Sequence, residues 1–214
     1  FTAAGMTGSR VAVHRLQLGD GLPYRSYIFD LVVSVDAACD MDELMRVTRP
    51  CGGRLVLYGG RRPDARFSRD AVLPGTAAEV WRRASLPGAG EWTHGYGDAA
   101  NTACSHDDIP FVPLEVLWFG RPGPRFMLER HIKGAPPLYC DGVLFITGKD
   151  YLAGVNAYNG AVLWERHDPG SGRMAMLKDC GNMLAADGRL YVAVGGECRV
   201  LDAWTGNELQ AYTV

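Results

Sequence analysis

The chain has 214 residues, 47% of them hydrophobic and 21% charged, with a formal net charge of −2. That is the make-up of one large or two small globular domains with a sizeable core. It gives no electrostatic reason to bind nucleic acid or an anionic membrane, and no apolar run approaches the length of a membrane span.

The first 60 residues alternate between strand and helix signals. Residues 11–16 are a short apolar stretch, expected as a strand, and residues 18–24 (LGDGLPY) a loop. Residues 28–35 (IFDLVVSV) are a near-continuous apolar run, the pattern of a strand buried on both faces of a parallel sheet. Asp40 stands as N-cap of a helix over residues 40–47, with Glu43 three positions on in the capping-box place. Residues 49–53 (RPCGG) stop that helix, and residues 54–58 are the next strand. Strand, helix, strand predicts an α/β sheet with right-handed crossovers. Asp20, inside Gly-Asp-Gly, reads either as a turn-capping carboxylate or as a ligand contact. Asp30 reads as a strand-end carboxylate that caps backbone amides.

The wording GDGLPY, FDLVVS and ELMRVTRPCGGRLVL, spread over residues 9–60, resembles the second half of a class I S-adenosylmethionine-dependent methyltransferase. The family's Arg-Val-Leu-Lys-Pro-Gly-Gly turn is slightly altered here, from Arg46 to Gly53. The resemblance implies an incomplete Rossmann-like α/β domain over residues 1–60 and S-adenosylmethionine as its cofactor. It implies that Asp20 accepts a hydrogen bond from the adenine amino group and that Leu22 lies near the adenine ring. Ser34 and Val35, at the strand end, would line the pocket. It also implies that the family's glycine-rich first loop and its ribose-gripping acid stand upstream of Phe1. The chain is therefore expected to be part of a longer protein, without turnover of its own. No catalytic residue and no metal ligand is assigned.

Residues 61–90 read as a linker. Within it, Thr76 as N-cap and Glu79 in the capping-box place predict a short helix over residues 76–84, with Val80 and Trp81 to pack on something. The six cysteines, Cys39, Cys51, Cys104, Cys140, Cys180 and Cys198, show no C-x-x-C and no zinc spacing. They are expected as buried small residues, and a Cys140–Cys180 bridge is open to the chain outside the cytoplasm. Cys104, His106, Asp107 and Asp108 lack partners at ligand spacing and read as a polar turn.

The remainder repeats itself. Residues 141–164 (DGVLFITGKDYLAGVNAYNGAVLW) and 187–210 (DGRLYVAVGGECRVLDAWTGNELQ) align without a gap. Asp141 and Asp187 stand 46 residues apart, as do Gly160 and Gly206. The triplet Val116-Leu117-Trp118 stands as far before Val162-Leu163-Trp164. Periods of this length mark solenoids or propellers. Asp-Gly and Asn-Gly pairs between short apolar runs are hairpin signals. The expectation is three or four antiparallel strands per unit, a propeller blade, with two to three blades over residues 91–214. Trp118, Trp164 and Trp204 read as packing between blades, the alternative being a ligand-stacking role.

This repeat resembles the pyrroloquinoline-quinone-type β-propeller repeat over residues 136–214, and EWTHGYGDAANTACS (residues 91–105) resembles the segment that leads into the first blade of quinoprotein dehydrogenases. Cys104 departs from an aromatic residue usual there. In those enzymes the resemblance implies a quinone held with calcium, often beside a pair of adjacent cysteines; this chain has no adjacent pair. The fold class expected is therefore mixed: an incomplete α/β segment, a linker, then all-β blades. Three functions compete. One is a methyltransferase fused to a propeller that binds or positions a protein or small-molecule partner. The second is a quinone- and calcium-dependent oxidoreductase. The third is a non-catalytic scaffold. The compartment, cytoplasmic or periplasmic, stays open.

Overall fold

A computed structural model describes residues 12–17, 19, 21–36, 38–108, 116–121, 136–171 and 182–213. Those residues form one helix and three four-stranded sheets. The first sheet holds β1 (Leu31–Ser34), β2 (Arg54–Leu57), β3 (Phe67–Val72) and β4 (Glu79–Arg83), in the order β1-β2-β4-β3. β1 and β2 run parallel, joined by α1 (Met41–Val47) as a single βαβ unit, and β4 runs against both β2 and β3.

Helix α1 starts where the sequence places it: the Asp40 side chain accepts from the Asp42 amide, leaving a turn that Met41 can begin. It ends at Thr48, whose hydroxyl and amide both return to the Leu44 carbonyl. One face buries Leu44 and Met45 against Leu55, Leu57 and Phe67. Each such side chain contributes about 1.5–3 kcal/mol by leaving water. The opposite face of the sheet carries a smaller cluster, Val56, Ala78 and Val80.

Four expectations change here. Residues 12–17 form no strand and are exposed. The 28–35 run shortens to β1, and it is not buried on both faces: Leu31, Val33 and Val35 are 56%, 53% and 72% exposed. The cause is alternation: Val32 packs on the α1 cluster, while Leu31 and Val33 point to the opposite face, where they stay exposed. The helix expected over residues 76–84 is strand β4. Gly75 takes a left-handed φ of 73°, and Thr76 closes the turn, its hydroxyl donating to the Leu73 carbonyl and accepting from the Ala78 amide. The chain reverses, and β4 pairs with β2 and β3 at once, so ladder bonds outweigh the helix propensity of Ala, Glu and Arg. The expected linker thus carries two strands of the first sheet. Finally, of the described cysteines only Cys140 is fully buried; Cys104 is exposed and Cys39, Cys51 and Cys198 are intermediate, all of them free thiols. Cys180 lies outside the described residues.

The other two sheets are antiparallel meanders. The first holds β5 (Leu138–Cys140), β6 (Val143–Gly148), β7 (Tyr151–Asn156) and β8 (Val162–His167) in sequential order. The second holds β9 (Met183–Ala186), β10 (Arg189–Val194), β11 (Glu197–Asp202) and β12 (Glu208–Thr213). The sequence register survives in three dimensions. β6 and β10 begin at Val143 and Arg189, 46 residues apart, and a β-bulge recurs between Gly154 and Val155 and between Val200 and Leu201. The Asp-Gly pairs take positive φ at both residues, 48° and 82° in the first sheet, 50° and 69° in the second. That is the two-residue turn whose twist matches a hairpin.

The two meanders share one core of Leu138, Phe145, Leu152, Trp164, Leu190 and Leu201 with their neighbours. They face each other as consecutive blades. Trp164 docks on the turn of the second blade: its indole N–H donates to the Ala203 carbonyl at 2.9 Å. Trp118 repeats this on the first blade, donating to Ala157 at 2.8 Å. Trp204 packs against this shared core and also lies under the Arg49 guanidinium, 4.6 Å from its ring centroid.

That contact belongs to a seam between the first sheet and the blades. Asp30 receives Arg49, the Asn156 amide at 2.9 Å and the Asn159 amide at 2.9 Å. Among the described residues its carboxylate takes no backbone amide; its acceptors go to side chains of both parts. Tyr27 and Tyr158 meet edge to face at 6.2 Å.

Candidate functional site

The parallel pair β1–β2 has its carboxyl ends on one side, and the chain after β1 turns outward there through Val35 and Asp36 before Asp40 starts α1. In open α/β sheets the loops at this end enclose the ligand. Here they enclose a cavity of about 510 Å³, walled by Leu22, Ser34, Val35, Asp36, Asp40 and Glu43 among others. Leu22, Ser34 and Val35 are thus brought together from positions separated in sequence. Asp20 lies outside the described residues.

Each wall is fixed by side chains from elsewhere. Ser34 is buried and its hydroxyl donates to the Asp36 carbonyl at 2.9 Å. Glu43 does not close a capping box. It reaches across to the loop instead, accepting the Leu22 amide at 2.7 Å and pairing with Arg46. Arg46 in turn donates to the Tyr24 and Leu22 carbonyls, at 2.8 and 3.0 Å. The Glu43 carboxyl is pulled down to about 2, first by its hydrogen bond from Arg46, then by the Leu22 amide. Arg61, outside the lining, donates to the carbonyls of Asp36 and Cys39 at 3.1 and 2.8 Å. The loop after β1 is held by three such bonds once the Asp36 carboxylate takes the Ala38 amide at 3.1 Å.

Chemically the cavity combines aliphatic walls with carboxylates. That set suits a ligand with a flat apolar body and amino or hydroxyl donors. Sequence reading gave Glu43 only a capping role and gave Arg46 and Arg61 none. Glu43 and Arg46 stand three apart on one helix face, a pair visible in sequence. Arg61 carries no local signal, because its acceptors lie more than 20 residues away.

One cluster outside this cavity has ligand-type atoms close together: among the described residues, those of Glu91, Cys140 and Asp141 all lie within 4.8 Å of one another. Burial and the two carboxylates push the Cys140 thiol well up, so it stays protonated and donates weakly to both. The polar turn at residues 104–108 holds a surface pair, His106 to Asp98 at 2.7 Å.

In structure the chain is similar to a europium-containing methanol dehydrogenase, at 23% identity over 37% of this chain and 15% of that one, with a TM-score of 0.30. It is also similar to the quinohemoprotein alcohol dehydrogenase ADHIIG from Pseudomonas putida HK5, at 21% identity over 58% of this chain and 19% of that one, with a TM-score of 0.38. The chain spans less than a fifth of the length of either protein. No protein-family model and no curated protein matches it. Among the described residues, no helix is long and apolar enough to cross a membrane.

Proposed function

We propose that the first sheet belongs to an S-adenosylmethionine-dependent methyltransferase and that the two blades belong to a pyrroloquinoline-quinone-type propeller acting beside it as a binding or scaffold module. The observation that carries this reading is the cavity at the carboxyl end of β1, where Leu22, Ser34 and Val35 share one wall system. In this reading Leu22 lies against the adenine ring, Ser34 and Val35 shape the floor, and Asp20 takes the adenine amino group. The carboxylates of Asp36 and Asp40 set a negative field suited to a cationic sulfonium. The cofactor, when bound, supplies the methyl group; the residues named here bind and orient it.

The cluster of Glu91, Cys140 and Asp141 does not fit calcium. Calcium takes an all-oxygen set of six to eight ligands, whereas the described group of close ligand atoms contains a protonated thiol.

Calorimetric titration with S-adenosylmethionine tests the reading. It predicts saturable binding to the protein, and loss of binding in Ser34→Trp, whose indole fills the cavity. No heat and no shift in melting temperature with this cofactor would overturn it. Dye reduction on adding quinone and calcium would then favour the oxidoreductase, and no response to either ligand would leave the scaffold.

A further inference from the structure

We propose that the cleft between the first sheet and the turns of the two blades is a second binding site, for a small oxyanion: a phosphate or carboxylate group carried by a small molecule. The cleft measures about 520 Å³ and is lined by Gly52, Ser68, Arg82, Arg83, Ser85 and Trp204 among others. It lies at the amino end of β2, away from the cavity at the carboxyl end of β1.

The charges there do not balance. Arg82 of β4 sits directly opposite Arg54 of β2, a like-charge pair that weakens the ladder unless each finds a counter-ion. Arg54 has one, Asp70 at 3.1 Å. Among the described residues Arg82 has no hydrogen-bond or ion-pair partner. Its guanidinium lies over Gly52. The Nε and Nη2 atoms lie 3.3 Å from where a Cβ on Gly52 would stand, so the side chain rests on bare glycine backbone.

The next residue adds a second positive charge. Arg83 is 2% exposed, and its charge is met by the Met45 and Thr48 carbonyls and by the ring faces of Tyr27 and Phe67, with no carboxylate in contact among the described residues. Dipoles and rings satisfy its donors without cancelling its charge. The cleft also carries two hydroxyls, Ser68 and Ser85, with no partner among the described residues. Against two guanidinium groups stands one lining carboxylate, Asp141, which takes the Cys140 thiol at 3.8 Å. A planar guanidinium with free N–H groups, flanked by hydroxyls, is the donor set that grips an oxyanion. The volume exceeds that of a phosphate group alone, which leaves room for the ligand's body beside the Trp204 ring.

Thermal melting of the full chain in sodium phosphate, against sodium chloride at equal ionic strength, tests the site. Phosphate should raise the melting temperature of the wild type saturably, beyond chloride. Arg82→Ala should need about tenfold more phosphate for the same shift, and Ser68→Ala an intermediate amount. Arg82 is exposed, so its replacement leaves the fold intact. Equal responses to phosphate and chloride in the wild type, or an unchanged phosphate response in Arg82→Ala, would overturn the proposal.

Discussion

At the scale of single residues, the structure turns on positions where one atom decides. A Cβ on Gly206 would stand 2.5 Å from Trp164, and its φ of 68° suits glycine. Gly188 has a similar φ of 69° but open space around it. Gly188→Ala should therefore cost about 1 kcal/mol, the price of left-handed backbone alone. Gly206→Ala should cost about 2–3 kcal/mol, since it also displaces the indole from Ala203; urea denaturation of the two variants measures the difference. Glu43 offers a test with a sign. Its folded value is about 2 against an ordinary 4.5, so its contribution is present above 4.5 and is lost as pH falls through about 2. The stability gap between wild type and Glu43→Gln should hold at neutral pH and close near pH 2. A gap that persists unchanged in acid would mean the carboxylate does not hold the Leu22 loop.

At the scale of elements, the blades were legible because their signals are local and written twice. Asp-Gly turns, alternating apolar runs and the docking tryptophans each lie within a few residues of the strand they serve. Helix α1 was legible through Asp40 for the same reason. Strand β4 was not: Thr76, Glu79 and the alanines spell a helix start, and only pairing with β2, more than 20 residues back, makes a strand of them. The residues around the cavity left an uneven trace in the sequence. Leu22, Ser34 and Val35 were named through a resemblance, while Arg46 and Arg61 act across the fold and leave no short-range trace. Burial within the meanders makes a further prediction. All six residues of β7 are buried and all six of β12 are exposed. Amide hydrogen exchange should be slowest in β7 and β11, and fastest in β12; comparable rates in β7 and β12 would show that the first blade is not closed on both sides.

At the scale of the whole molecule, two folding patterns meet in one chain and share a polar seam. Asp30 receives Arg49 from its own sheet and Asn156 and Asn159 from the first blade. Arg49 is only 8% exposed, so Asp30→Ala leaves a buried guanidinium without its carboxylate. The loss should be about 1–3 kcal/mol, seen as a lower urea midpoint. The seam also places the blades against the strand whose far end opens into the cavity, which gives the two parts a common frame. Whether that cavity takes the proposed cofactor is decided most directly by amide chemical-shift changes on adding S-adenosylhomocysteine. The account predicts that the shifted resonances cluster at Leu22, Ser34, Val35 and the start of α1. No shifts at saturating ligand, or shifts confined to β5 through β12, would contradict it.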